Sequence, residues 1–71
     1  MAIEKELIAL RKEKKISQKE MAEVIGVTAE TYRSRELGKT DWRGPEMFAI
    51  SRKFHKTIED IFLPQSPQKV V

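Results

Sequence analysis

Ser17 to Gly38 reads SQKEMAEVIGVTAETYRSRELG, two short helices hinged on one glycine. The first opens at Ser17-Gln18-Lys19-Glu20, where the serine hydroxyl accepts from the Glu20 amide and the Glu20 side chain reaches back to the Ser17 amide. Met21, Ala22 and Ile25 then share one helical face. Gly26 closes the helix because it enters the left-handed conformation that other residues resist by roughly 1–2 kcal/mol. Val27 plugs the turn and Thr28 recaps the chain. The second helix runs through Leu37 to another left-handed stop at Gly38. Spacing from Thr28 places Tyr32 and Glu36 on its inner side, while Ala29, Glu30, Arg33, Ser34 and Leu37 lie around the outer side.

The flanking sequence is also helical. Ile3, Leu7 and Leu10 recur at helical spacing, so a helix is expected from about Ile3 to Lys14, its basic end last, where the dipole favours cations. Ile16 packs as the chain turns. After Gly38 comes the polar loop Lys39-Thr40-Asp41-Trp42-Arg43-Gly44, in which Trp42 reads as a lid on the core. Pro45-Glu46 suit the first turn of a fourth helix with Met47, Ile50 and Phe54 as its buried stripe. His55 reads as the C-terminal cap of that helix. A last helix begins at Thr57, carries Ile58, Ile61 and Phe62, and stops at Pro64. The expectation is an all-α, compact five-helix domain over residues 1–64, followed by a short flexible tail, 65–71.

Composition removes most chemistry. At 71 residues the chain supports one small domain near the lower limit for an unstapled core. It contains no cysteine, hence no disulfide, thiolate nucleophile or cysteine-bound zinc, and a single histidine. With no convergent carboxylate pair either, nothing carries general acid–base work, and no enzyme and no cofactor are expected. No apolar run reaches the roughly 18 residues of a membrane span, and MAIEKELIAL lacks the basic-then-apolar order of a signal peptide. A cytoplasmic protein with no membrane partner is expected. The net charge of +3 and pI near 9.4 lean modestly towards an anionic partner. The basic residues Arg11, Lys12, Lys14, Lys15, Lys19, Arg33, Arg35, Lys39 and Arg43 gather around the two-helix motif. A solvated surface and a phosphate-binding surface are both readings of that cluster.

These features in order make the chain resemble the phage Cro and lambda-repressor-like family of helix-turn-helix regulators, the xenobiotic-response-element type. Leu10-Arg11, Ile16-Ser17-Gln18, Met21-Ala22, Ile25-Gly26-Val27-Thr28, Thr31-Tyr32, Glu36, Gly38-Lys39 and Ile58-Glu59-Asp60-Ile61-Phe62 carry the resemblance over about Leu7 to Phe62. It implies sequence-specific binding of double-stranded DNA by a transcriptional regulator, a repressor of phage or bacterial type, with the second motif helix in the major groove. Ala29 would then meet a thymine methyl, Glu30 accept from a cytosine amino group, and Arg33 reach guanine or a phosphate, beside a permissive Ser34. Glu30 also reads simply as a first-turn glutamate favoured by the helix dipole. Gln18, Thr28, Lys39, Thr40 and Arg43 would contact phosphates.

The resemblance further implies a structural ion pair between Arg11 and Glu36. Arg35 departs from the pattern, since many members place an apolar residue there, facing inward beside Tyr32 and Glu36. A basic-Glu pair does occur in a phage-like subset with tyrosine at the position of Tyr32. A homodimer, at least on DNA, reading a palindromic operator is expected, with Phe48, Ile58, Ile61 and Leu63 as candidate dimer contacts. The alternative from another class is a protein-interaction module of the same fold, binding another regulator or a toxin, for which Glu30 and Leu37 suit a protein surface.

Overall fold

Helices α1 (Lys5–Glu13), α2 (Gln18–Ile25), α3 (Ala29–Glu36), α4 (Gly44–Phe54) and α5 (Ile58–Ile61) account for the regular structure of residues 4–62, the part of the chain that the computed structural model describes. Ile3, Leu63, Pro64 and the expected tail 65–71 lie outside the described residues. Local chemistry sets the helix starts. Ser17 Oγ accepts from the Glu20 amide at 3.0 Å, Thr28 Oγ1 from the Thr31 amide at 3.1 Å, and Thr57 Oγ1 from the Asp60 amide at 3.1 Å. The turn between α2 and α3 closes on Gly26 at φ 77°, and Gly38 follows α3 at φ 80°.

The core is a contribution from every helix. Leu7 and Leu10 of α1, Met21 and Ala22 of α2, Ile50 and Phe54 of α4, and Ile61 with Phe62 at the end of α5 are all buried around Tyr32. Trp42 closes the loop side of this core, as its sequence position suggested. Its ring meets Tyr32 edge-on at 5.8 Å and Phe62 edge-on at 5.3 Å, while its indole N–H donates to Glu4 Oε2 at 3.1 Å. The Glu4 amide in turn donates to the Glu36 carbonyl at 3.0 Å, tying the start of α1 to the end of α3. Ile61 corrects one expectation. It is 0% exposed and belongs to the core of a single chain, so it has no surface to offer a second copy.

Two helix ends carry a feature that glycine usually supplies. Lys15, after α1, and His55, after α4, sit in the left-handed region at φ 58° and 57°. The Ile16 amide donates to the Arg11 carbonyl at 3.0 Å and the Lys56 amide to the Ser51 carbonyl at 3.1 Å, the bonding of a Schellman stop. Both side chains are exposed, so only backbone strain is at stake. Lys15→Gly and His55→Gly should each stabilise the domain, by up to about 1 kcal/mol, because glycine relieves the left-handed penalty at the cost of some chain entropy. Urea melts measure this; destabilisation by both changes would contradict the left-handed assignment.

Candidate nucleic-acid interface

Helix α3 buries only Tyr32 and Glu36, so it lacks an apolar stripe wide enough to hold it by hydrophobic contact alone. What holds it is polar. Glu36, 1% exposed, accepts from Arg11 Nε at 2.7 Å and Tyr32 Oη at 2.6 Å on Oε2, and from Gln18 Nε2 at 3.0 Å and the other side of the Arg11 guanidinium at 3.3 Å on Oε1. The remaining Arg11 nitrogen donates to the Ile16 carbonyl at 3.0 Å. A buried carboxylate with both oxygens engaged by a forked cation is the arrangement in which desolvation is best offset. Burial, and then the hydrogen bond to Glu36, hold the Tyr32 hydroxyl far above the ordinary tyrosine range, outweighing the opposite pull of Arg11.

A second ion pair lies one residue away. Arg35 Nε is 2.7 Å from Glu46 Oε1, another guanidinium nitrogen donates to Glu46 Oε2 at 3.1 Å, and the third donates to Thr40 Oγ1 at 3.0 Å. The short Nε contact lacks the alignment of a hydrogen bond and is an ion pair only. Glu46 also accepts from the Arg43 amide at 3.0 Å at the start of α4. Glu46 is buried, a role that its place after Gly44-Pro45 had concealed: there it reads as a dipole-favoured glutamate. The available signal was Arg35 itself, since a charge at an inward-facing position requires a partner.

With α3 fixed on both sides, its outer residues are presented to solvent. Ala29, Glu30 and Arg33 are exposed and Ser34 and Leu37 half-buried; the loop beyond presents Lys39, Thr40 and Arg43, all exposed. Thr28 is exposed at the N-terminus of α3, where its hydroxyl bonds Thr31 Oγ1 at 2.9 Å. Gln18, at the first position of α2, is half-buried with its amide turned to Glu36, so one donor it could offer a phosphate is already engaged. Away from these residues, Phe48 is 56% exposed, with the Arg52 guanidinium 5.7 Å over its ring, and Ile58 is half-buried. Among the described residues no group of three or more His, Cys, Asp or Glu is placed to hold a metal ion, and no helix is long and apolar enough to cross a membrane.

Two capped helices joined by a glycine turn, the second with a polar exposed face, define a helix-turn-helix domain, a DNA-binding class. The helix-turn-helix family matches the chain over residues 7–61, from the first core leucine of α1 to the end of α5, and the chain belongs to that family in its Cro and lambda-repressor form. It is therefore a DNA-binding regulator whose partner is double-stranded DNA. No curated protein and no solved structure matches it.

The Glu36 cluster makes two predictions. Arg11→Ala leaves a buried carboxylate without its cation and should cost about 3–5 kcal/mol. Arg11→Met with Glu36→Leu should recover much of this loss, and adding Tyr32→Phe should recover more, because that hydroxyl would otherwise lose its acceptor. A double-mutant cycle in urea decides it; additive effects would mean that the side chains do not interact.

Tyr32 gives the pH dependence. Its pKa is raised in the folded state, so the stability it contributes is complete below the unfolded tyrosine value near 10 and is lost as pH rises beyond it. Between about pH 9 and about pH 11 the urea midpoint should fall more steeply for the native chain than for Tyr32→Phe. The chain holds one tyrosine, so tyrosinate absorbance reports the same event and should appear together with unfolding. Ionisation of Tyr32 at pH 10 in a chain still folded would contradict the buried bond to Glu36.

Proposed function

We propose that this chain is a sequence-specific transcriptional repressor of phage or bacterial type that occludes a promoter by binding a palindromic operator as a dimer. The observation that carries the reading is the exposure of Ala29, Glu30 and Arg33 on one side of a rigidly held α3, followed in the chain by exposed Lys39, Thr40 and Arg43. Set into the major groove, Arg33 pairs with guanine or a phosphate, Glu30 accepts from a cytosine amino group, Ala29 packs on a thymine methyl and Ser34 tolerates either base. Lys39, Thr40, Arg43 and Thr28 take the flanking phosphates. Gln18 contributes the amide at the N-terminus of α2 and whatever donor capacity its bond to Glu36 leaves. The dimer joins through Phe48 and Ile58, placing the two α3 helices about one turn of DNA apart, ~34 Å.

Lys39→Ala should weaken binding to specific and non-specific duplexes alike and reduce the magnitude of the log–log salt slope by about one. Sequence preference should survive. A fluorescence titration across a range of salt concentrations checks this, and an unchanged affinity and slope would remove Lys39 from the interface.

Glu30→Gln should shift or relax preference at one base pair in each half-site, at about 1–3 kcal/mol for the original base. Non-specific affinity should hold or rise, since a negative charge near phosphates is gone. Selection of bound sequences from a random DNA pool reads both. The same motif with uniformly stronger binding would assign Glu30 to the helix dipole and leave readout to Arg33, Ser34, Ala29 or DNA shape.

A further inference from the structure

Arg35 has a second role available beyond clamping α3 to α4, and it depends on how its third nitrogen is used. That nitrogen donates to Thr40 Oγ1 at 3.0 Å. A hydroxyl has one proton and two acceptor positions, and the guanidinium has no acceptor, so the bond can run in only one direction. Thr40 therefore accepts from Arg35, and its own proton is directed elsewhere. The Thr40 side chain is exposed, in the loop between Lys39 and Arg43, whereas the Arg35 guanidinium behind it is nearly buried, 11% exposed, and held by Glu46. Glu46 also fixes the far end of the loop through the Arg43 amide.

We infer that Arg35 is a positioning residue that converts Thr40 into an outward-facing hydrogen-bond donor for a DNA phosphate. The inference rests on the reading that loop 38–43 lies on the DNA backbone. Arg35 does not touch the DNA. It polarises the Thr40 hydroxyl and occupies its acceptor side, leaving a donor for the phosphate oxygen. Because the Arg35–Glu46 pair is neutral as a unit, this contribution adds hydrogen bonding without adding to the counterion term that Lys39 and Arg43 supply.

The test uses the full chain and a mixed-sequence DNA duplex, since phosphate contacts do not depend on the operator. The variants are Thr40→Ala, Thr40→Ser, the paired change Arg35→Met with Glu46→Gln, and the paired change combined with Thr40→Ala. The glutamine keeps an acceptor for the Arg43 amide, and the paired change leaves net charge unaltered. Thr40→Ala should weaken binding about tenfold, the scale of one hydrogen bond to a charged group, with no change in salt slope. Thr40→Ser should restore affinity. The paired change should weaken binding by a similar factor and should add little in the Thr40→Ala background. A clamp that served only the fold would instead multiply with Thr40→Ala, and that result overturns the inference, as does native-like binding by Thr40→Ala. Because Thr40 is exposed, its variants remain informative even if the paired change lowers the urea midpoint. Lys39→Ala run alongside separates the two levels: weakened binding there with Thr40→Ala unaffected defeats the Arg35 role alone, whereas no effect of either variant defeats the placement of the loop on DNA.

Discussion

The structure depends on the carboxylate of Glu36. Helix α3 must present a polar face outward, and its sequence AETYRSRE spends nearly all its positions on that requirement. Two inward residues remain, and of these Tyr32 supplies apolar area while Glu36 supplies connections. Through it the reading helix is joined to Arg11 of α1, to Gln18 at the start of α2 and to its own Tyr32. A leucine at this position would give comparable burial and none of the directionality. The net free energy of such a buried pair is small, because desolvation offsets most of the attraction. Its effect is geometric: the hydrogen-bonded fork admits one orientation of α3 relative to α1 and α2.

Arg35 and Glu36, adjacent in sequence, divide the work of holding α3. Glu36 faces α1 and α2, and Arg35 faces the loop and the start of α4, so the C-terminal turn of α3 is anchored on two sides. The anchoring reaches the exposed loop through Thr40 and the Arg43 amide. Base-facing and phosphate-facing residues thus hang from one rigid frame, which is what a readout dependent on hydrogen-bond geometry requires. Trp42 completes the frame from the apolar side by packing between Tyr32 and Phe62.

Features written in local chemistry were legible in the sequence. Ser17, Thr28 and Thr57 announce helix starts because a cap needs only a hydroxyl three residues before an amide, and Gly26 and Gly38 announce ends. The inward placement of Tyr32 and Glu36 followed from helical period alone, and the Arg11 partner of Glu36 from family resemblance. Tertiary partnerships were harder. Nothing local tells Gln18 to turn its amide to Glu36, or links Arg35 to a glutamate eleven residues on. Ile61 read as surface because a helix of four residues has too few turns to declare which side is buried. Lys15 hid a left-handed stop, since the usual marker, glycine, is missing there.

The central claim is that α3 and the loop after it form the DNA-facing surface, held by a Glu36 cluster that does not itself change on binding. The most direct measurement is an NMR titration of the labelled chain with duplex DNA, following backbone amides together with the Arg side-chain Nε–H signals. The account predicts shifts at Gln18, from Thr28 to Ser34 and from Lys39 to Arg43, with the Arg11 Nε–H resonance unmoved and protected from exchange. Shifts centred instead on Phe48 and Arg52 of α4, or an Arg11 signal that exchanges freely, would contradict it.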